Sequence, residues 1–298
     1  NIGIPKENIL GGRILKRYKG EAGEFKLPEK RAGVLSVGLV VTGGTIASKL
    51  DSRTGGVKHL VSIEEFARFY PEMFKIANVK KIEMPFMIAS ESMNSSHWIK
   101  IAESVKGMLD DREISGVIVT HGTDFLGYTG AALSFFLKNL DKPVVLTYAQ
   151  RSIDRASSDA NLNLQCAMRM AISDAAGVMI VGHASINDDF CYAMPGARVR
   201  KMHSSRRDAF KAVNAREIAK VWPDKIEFLG RHRARGNGKT ELDISFNDKI
   251  GLVKFYPGQD SSILDFYALK YKGIVVEAAG LGHLPVSEAE HSWIPTLK

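Results

Sequence analysis

The chain has 298 residues, of which 45% are hydrophobic and 25% charged, and its formal net charge is +8. This composition excludes global disorder and allows one large or two modest globular domains. No apolar run approaches the roughly 18 residues of a membrane span. The two cysteines and eight scattered histidines lack metal-ligand spacing, so we expect reduced thiols, a cytoplasmic location and no metal.

The chain changes character near residue 34, where a Lys-, Glu- and Gly-rich leader gives way to alternating strand-like and helix-like segments. The leader resembles the end of a separate module followed by a linker. A basic, glycine-bearing stretch between residues 231 and 239 is typical of an exposed loop between domains. We therefore predict an N-terminal module and linker at 1–31, a large α/β domain at 32–229, a basic interdomain loop at 230–245 and the start of a smaller, incomplete C-terminal α/β domain at 246–298.

Apolar runs bounded by turn residues predict strands, and periodic apolar stripes behind capping residues predict helices. Predicted strands cover 36–41, 79–85, 116–120, 143–147, 177–181, 249–255 and 273–277. Predicted helices follow Ser62 and Ser96 and cover 130–137, 161–175 and 261–269. Strands that alternate with helices indicate βαβ units, so we expect an α/β fold with parallel sheets.

The first strand leads into Thr42-Gly43-Gly44-Thr45, two glycines flanked by threonines. Glycines at such a loop let the backbone approach a ligand, and open α/β sheets bind ligands at the carboxyl ends of their strands. Thr45 is therefore a candidate nucleophile, although a threonine hydroxyl is weak until a base removes its proton.

The third strand ends in a second motif of the same design, His121-Gly122-Thr123-Asp124. Thr123 and Asp124 could take part in chemistry, or they could simply cap the helix that begins near Leu126. We expect His121 to be a packing residue at the strand end rather than a base.

Two further clusters supply polar groups. Ser90 and Glu91 follow the second strand and could bind a substrate's charged ends, or serve only as loop hydrogen-bonding groups. Lys201 lies among arginines, which fits either a solvated basic face or a lysine whose neutral form is favoured by neighbouring cations. Together, Thr45, Thr123, Asp124 and Lys201 could act like the residues of a serine triad. A threonine would be the nucleophile, Lys201 the base, and Asp124 the residue that orients the base.

On these motifs the chain resembles the bacterial-type L-asparaginase family over roughly residues 36–298. Within it, the chain is most similar to the archaeal glutamyl-tRNA(Gln) amidotransferase D subunits, on the residue 1–4 leader, the 45–56 loop, and the 150–152 and 157–160 segments. The resemblance implies an asparaginase-like α/β fold. It also implies a glutaminase in which Thr45 attacks the glutamine side-chain amide.

The same resemblance assigns roles to the other residues. Thr123, Lys201 and Asp124 would handle protons, and the backbone around Gly44 and Gly122 would stabilise the oxyanion. Ser90 and Glu91 would bind the α-groups of glutamine or asparagine. Which threonine attacks first stays open.

The resemblance further implies that ammonia passes to a partner, the E subunit of the amidotransferase, which binds tRNA(Gln) and uses ATP and Mg²⁺. We therefore expect no cofactor in this chain, a homodimer formed through asparaginase domains, and tRNA contacts mainly through the partner. The lack of a Gly-rich phosphate loop agrees with nucleotide chemistry in the partner.

Two departures from the family pattern stand out. The loop from residue 50 to 56 lacks the tyrosine that usually helps to activate the first threonine and has Ser52 at the corresponding position. Many asparaginases also have Gln-Asp where this chain has Glu91-Ser92. A free-standing L-asparaginase and a non-catalytic RNA-binding scaffold subunit are the alternative functions, the latter favoured by the basic excess.

Overall fold

A computed structural model describes Gly11 and residues 28–51, 57–60, 62–287 and 290–298. The chain divides between Ile244 and Ser245 into two compact units. Most of the leader assigned to a separate module, and Ser52 in the loop, lie outside the described residues, so those interpretations stay predictions.

The first unit is built on a sheet of eight described strands. They are β1 (Ser36–Val41), β4 (Asn78–Glu83), β5 (Ile114–Thr120), β7 (Pro143–Thr147), β8 (Gly177–His183), β9 (Cys191–Pro195), β12 (Ala219–Val221) and β13 (Ile226–Phe228). Their order across the sheet is β13-β12-β9-β8-β7-β5-β1-β4. Short strands outside it are β2 (Ser48–Leu50), β3 (Val57–His59), β6 (Leu137–Lys138), β10 (Val199–Lys201), β11 (Phe210–Ala212) and β14 (Glu241–Leu242).

Strands β4, β1, β5, β7 and β8 are parallel, as the alternation of strands and helices predicted. Beyond β8 the sheet continues in antiparallel order through β9, β12 and β13, none of which was predicted as a strand, so the sheet as a whole is mixed. Antiparallel neighbours need no helical crossover, so this region lacks the helix signals that marked the other strands.

Helices cover both faces of the sheet. The described helices of this unit are α1 (Ile63–Phe69), α2 (Met73–Ile76), α3 (Ser95–Leu109), α4 (Leu126–Phe136) and α5 (Ala160–Ala171). Residues Val37, Leu39 and Val41 of β1 join one buried cluster with α1, α2 and α5, whereas Val40 joins another with α3 and α4. This two-residue alternation places a core on each face of the parallel strands.

Helix α3 begins earlier than predicted. Its N-cap is Asn94, whose side chain accepts a hydrogen bond from the Ser96 backbone N–H at 3.0 Å, so Ser96 lies within the first turn. Asn, Asp and Ser are almost equivalent N-caps, and sequence therefore does not resolve which of two neighbouring candidates starts the helix.

Most residues of the basic segment 231–239 are exposed, and the segment is also bonded to the amino edge of the first unit's sheet. The half-buried Arg235 guanidinium donates to the carbonyl groups of Ser115 and Ser173. The Ala176 N–H donates to the Arg233 carbonyl at 2.7 Å, and β14 pairs with β6. Burial lowers the pKa of Arg235 from its ordinary value.

The second unit contains a parallel pair, β15 (Ile250–Lys254) and β16 (Gly273–Glu277), with α6 (Ile263–Ala268) and α7 (Ile294–Leu297). Trp293 is fully buried in its small core with Val253 and Leu264. The predicted α/β character of this part of the chain is confirmed.

Candidate active site

The two threonine motifs leave the sheet side by side, because β1 and β5 are parallel neighbours whose carboxyl ends lie at one edge. The Thr42 N–H and hydroxyl group both donate to the Thr120 carbonyl, at 3.2 and 2.8 Å. The loops after both strands therefore begin at the same level along the strand direction, directly beside each other.

Gly44 brings these loops into backbone contact. It has φ 76° and ψ 179°, a conformation essentially confined to glycine. A Cβ atom at Gly44 would lie 2.4 Å from the Gly122 Cα atom, inside any van der Waals contact. The sequence requires glycine here both for the backbone conformation and for this close approach.

Thr45 begins a 3₁₀ turn, Thr45–Ala47, that is fixed from several directions. The Ser48 hydroxyl donates to the Gly44 carbonyl at 2.7 Å, and the buried Tyr70 hydroxyl donates to the Ile46 carbonyl. Burial raises the pKa of Tyr70, so its phenol stays protonated and donates this bond. Thr45 itself is partly exposed, whereas the residues around it are buried.

Lys201 joins Thr123 and Asp124. Its Nζ atom lies 2.8 Å from Thr123 Oγ1 and 2.7 Å from Asp124 Oδ1. The lysine side chain is 13% exposed and the Asp124 side chain 59%, so the amine is enclosed while its carboxylate partner contacts solvent. The structure thus brings together three of the four residues predicted to be catalytic.

A hairpin formed by β10 and β11 positions Lys201. In β10 the side chains alternate, so Lys201 shares a face with Val199, which is buried in the core beside α4. Asp208 anchors the hairpin through ion pairs with Arg206 and Lys211. Although partial burial opposes it, these two cations hold the pKa of Asp208 below its ordinary value.

The four arginines around Lys201 differ in their surroundings: Arg198 and Arg200 are exposed, as in the solvated basic face considered for this region, whereas Arg206 and Arg207 make bonds within the chain. Arg207 donates to the Ile186 and Ser157 carbonyl groups and to Asp188, and Arg206 is paired with Asp208. These side chains make bonds within the chain, and Lys201 is directed toward Thr123 instead.

Ser90 and Glu91 lie in a 3₁₀ turn, Ser90–Ser92, beside the second threonine motif. Ser90 is 3% exposed and its hydroxyl accepts the Phe125 N–H at 3.4 Å. Glu91 is exposed. The Ile88 N–H donates to the Thr42 carbonyl at 3.1 Å, which fixes this turn at the same edge of the sheet.

His121 is a buried packing residue, as expected. Its Nδ1 atom lies 2.7 Å from the Gly122 carbonyl, which can only accept, so Nδ1 carries the proton. Nε2 then accepts the Thr129 hydroxyl at 2.8 Å. Burial lowers the pKa of His121 from 6.5 to about 4, so the ring is neutral at physiological pH.

This burial predicts a stability change in mild acid. Between pH 6.5 and about 4 the unfolded chain binds a proton at His121 that the folded chain does not, so stability falls as pH decreases. One pKa unit corresponds to about 1.36 kcal/mol. The difference between 6.5 and about 4 should therefore lower the free energy of unfolding by about 3 kcal/mol near pH 4. Urea unfolding at pH 7, 5 and 4 measures it. His121→Gln should lack this component, and parallel pH curves for both proteins would contradict the assignment.

Among the described residues, no three His, Cys, Asp or Glu side chains form a group suited to a metal ion. No helix in the described part of the chain is long and apolar enough to cross a membrane. Cys166 and Cys191 are free, buried thiols.

Comparison with known proteins identifies relatives of the whole chain and of its fold. Residues 36–234 match the family model described as "Asparaginase, N-terminal". The chain is 50% identical to the glutamyl-tRNA(Gln) amidotransferase D subunit of Thermococcus kodakarensis, over 96% of this chain and 66% of that protein. It is 40% identical to the corresponding D subunit of Methanothermobacter thermautotrophicus, over 99% of this chain and 69% of the relative. The chain thus spans about two thirds of these relatives.

Solved structures give the same fold. The thermostable L-asparaginase from Thermococcus kodakarensis superposes with a TM-score of 0.77 at 28% identity, covering 88% of this chain and 76% of that one. A probable cytoplasmic L-asparaginase from Campylobacter jejuni has a TM-score of 0.71 at 24% identity, covering 88% and 79%. The predicted asparaginase-like α/β fold is confirmed.

Proposed function

Since the chain belongs to the asparaginase family, and within it to the glutamyl-tRNA(Gln) amidotransferase D subunits, we propose that it is the glutaminase that supplies ammonia for tRNA-dependent amidation. The observation that carries the proposal is Lys201 Nζ, held between Thr123 Oγ1 and Asp124 Oδ1 beside the Thr45 turn. A hydroxyl, an enclosed amine and a carboxylate in this order are the parts of a nucleophile-activating triad.

In the first step, the Thr45 hydroxyl oxygen attacks the side-chain amide carbon of glutamine. Its proton passes through Thr123 to the neutral Lys201 amine, which Asp124 orients and stabilises once charged. The amide C–N bond then breaks, and Lys201 returns the proton to the leaving nitrogen, so that ammonia departs. The product is a γ-glutamyl ester on Thr45.

In the second step, water attacks the ester, and the same three residues take and return its proton. Glutamate is released and Thr45 regains its hydroxyl group, so the sum is glutamine plus water giving glutamate plus ammonia. Backbone N–H groups around Gly44 and Gly122 are the candidate oxyanion donors, because backbone donors at a rigid turn stabilise charge that develops in the transition state. Glu91 would bind the α-ammonium group of the substrate, and the Ser90 hydroxyl would bind its α-carboxylate group.

The released ammonia would serve a partner, the E subunit of the amidotransferase, which would bind tRNA(Gln) and carry the ATP and Mg²⁺ chemistry. We also propose a homodimer formed through asparaginase domains. The identity with D subunits from several archaea supports this assignment of partners.

The test is ammonia release by the full-length protein, from glutamine and from asparagine, with and without the E subunit and Glu-tRNA(Gln). Turnover of glutamine that rises when both are added is the expected result. Asparagine turnover that is unaffected by either addition would instead identify a free-standing L-asparaginase, an interpretation favoured by the 0.77 TM-score to such an enzyme. RNA binding without any amide hydrolysis would leave only the scaffold function.

A further inference from the structure

The loop between β7 and α5, residues 150–159, lies between the two halves of the candidate site. It is built around Asp159, which is fully buried and accepts the N–H groups of Gln150 and Arg151 at 2.9–3.0 Å. The Ser158 hydroxyl donates to the Arg151 carbonyl at 2.9 Å and closes the loop on itself. These bonds give the loop a defined shape.

On one side, Asp154 binds the segment that carries Thr45. Its Oδ2 atom accepts the Leu50 N–H at 2.6 Å, and its Oδ1 atom accepts the buried Ser152 hydroxyl at 2.7 Å. Leu50 is the last residue of β2, which follows the Thr45–Ala47 turn directly. A carboxylate that accepts a backbone N–H makes one of the stronger hydrogen bonds, so this contact fixes the strand end five residues after Thr45.

On the other side, the same loop binds the segment that carries Lys201. Gln150 Nε2 donates to the Arg206 carbonyl at 3.0 Å, and Arg207 Nη2 donates to the Ser157 carbonyl at 2.6 Å. Arg206 is also paired with Asp208, which anchors the β10–β11 hairpin. The 150–159 loop therefore contacts both the nucleophile segment and the base segment.

We propose that Asp154 is a positioning residue that holds the Thr45 turn in register with Lys201. The proposal rests on the glutaminase function, since it concerns the geometry of the same reaction. The Asp154 carboxylate acts through the Leu50 backbone and not through a bond to Thr45, Thr123 or Lys201. Misplacement of a reacting group by about 1 Å, even through a distant change, costs about 100-fold in rate.

The test compares Asp154→Ala with Asp154→Asn in the full-length protein together with its partner. Asparagine retains an oxygen that can accept the Leu50 N–H, so we expect kcat within about fivefold of the parent, because a neutral bond is weaker but keeps the geometry. Alanine removes the acceptor, and we expect kcat to fall by about 10- to 100-fold with KM changed much less. Asp224→Ala, an exposed aspartate in the β12–β13 turn, is the matched control.

Hydrogen exchange at the Leu50 amide gives a readout independent of activity. It should accelerate in Asp154→Ala, and in neither Asp154→Asn nor Asp224→Ala. If the parent protein hydrolyses no glutamine but Leu50 exchange responds in this way, the proposed function is wrong, whereas the hydrogen bond between Asp154 and the Leu50 N–H is confirmed. Full activity of Asp154→Ala, or equal losses in the alanine and asparagine variants, would overturn the positioning role.

Discussion

Lys201→Leu is expected to lower kcat for glutamine hydrolysis by about 10³- to 10⁴-fold, the scale of losses when a member of a catalytic triad is removed. Leucine has nearly the volume of the lysine stem but no amine. The Thr123 hydroxyl then loses its partner at 2.8 Å and Asp124 loses the group that it orients. Proton transfer at the threonines stops, whereas the fold around them is retained.

Steady-state ammonia release measures this loss, and Arg200→Leu is its control. Arg200 is the preceding residue of β10, is exposed, and has the opposite side-chain direction. The Arg200→Leu variant should therefore keep a kcat near that of the parent protein. If Lys201→Leu retained a tenth of the parent's kcat, Lys201 would not be the base.

Gly44→Ala is expected to have the second largest effect, on stability and on activity together. The new Cβ would approach the Gly122 Cα atom to 2.4 Å, and the backbone at φ 76° and ψ 179° excludes alanine. Strain and overpacking together should cost roughly 2–4 kcal/mol of unfolding free energy. Relief of the clash separates the two threonine motifs, so kcat should also fall by more than about 100-fold.

Gly33→Ala separates these causes. Gly33 also has a positive φ, 73°, but nothing lies within 4 Å of its would-be Cβ atom. It should lose only about 1–2 kcal/mol, the cost of a left-handed residue, and no activity. Denaturant unfolding and ammonia release on both variants provide the measurement. Equal effects on kcat would show that contact between the motifs is unimportant.

Much of the fold was predictable because its signals are local. The strand at residues 36–41 and the one at 143–147 have the predicted bounds, since each is a continuous apolar run closed by turn residues. Burial on both faces of a parallel sheet produces such runs. The two glycine–threonine motifs were recognisable for the same reason, as each follows its strand directly.

The site's remaining parts depend on contacts between distant residues. Lys201 lies 78 positions from Thr123, and only the β10–β11 hairpin brings its amine there. Two of its arginine neighbours, Arg206 and Arg207, make bonds within the chain that the sequence pattern does not show. Asp154 was missed altogether: it sits in a polar loop, and its bond to the Leu50 backbone spans 104 positions.

In the proposed reaction Thr45 breaks the amide bond of glutamine through a covalent ester, and Thr123, Lys201 and Asp124 transfer the protons. The most direct test of this reaction is to quench the full-length protein with acid during glutamine turnover and to map the ester by peptide mass spectrometry. We expect a γ-glutamyl ester on the peptide containing Thr45, absent from Thr45→Val, which should also release no ammonia. An ester on Thr123 instead would exchange the roles of the threonines. Ammonia release by Thr45→Val, with no ester on either peptide, would contradict the mechanism.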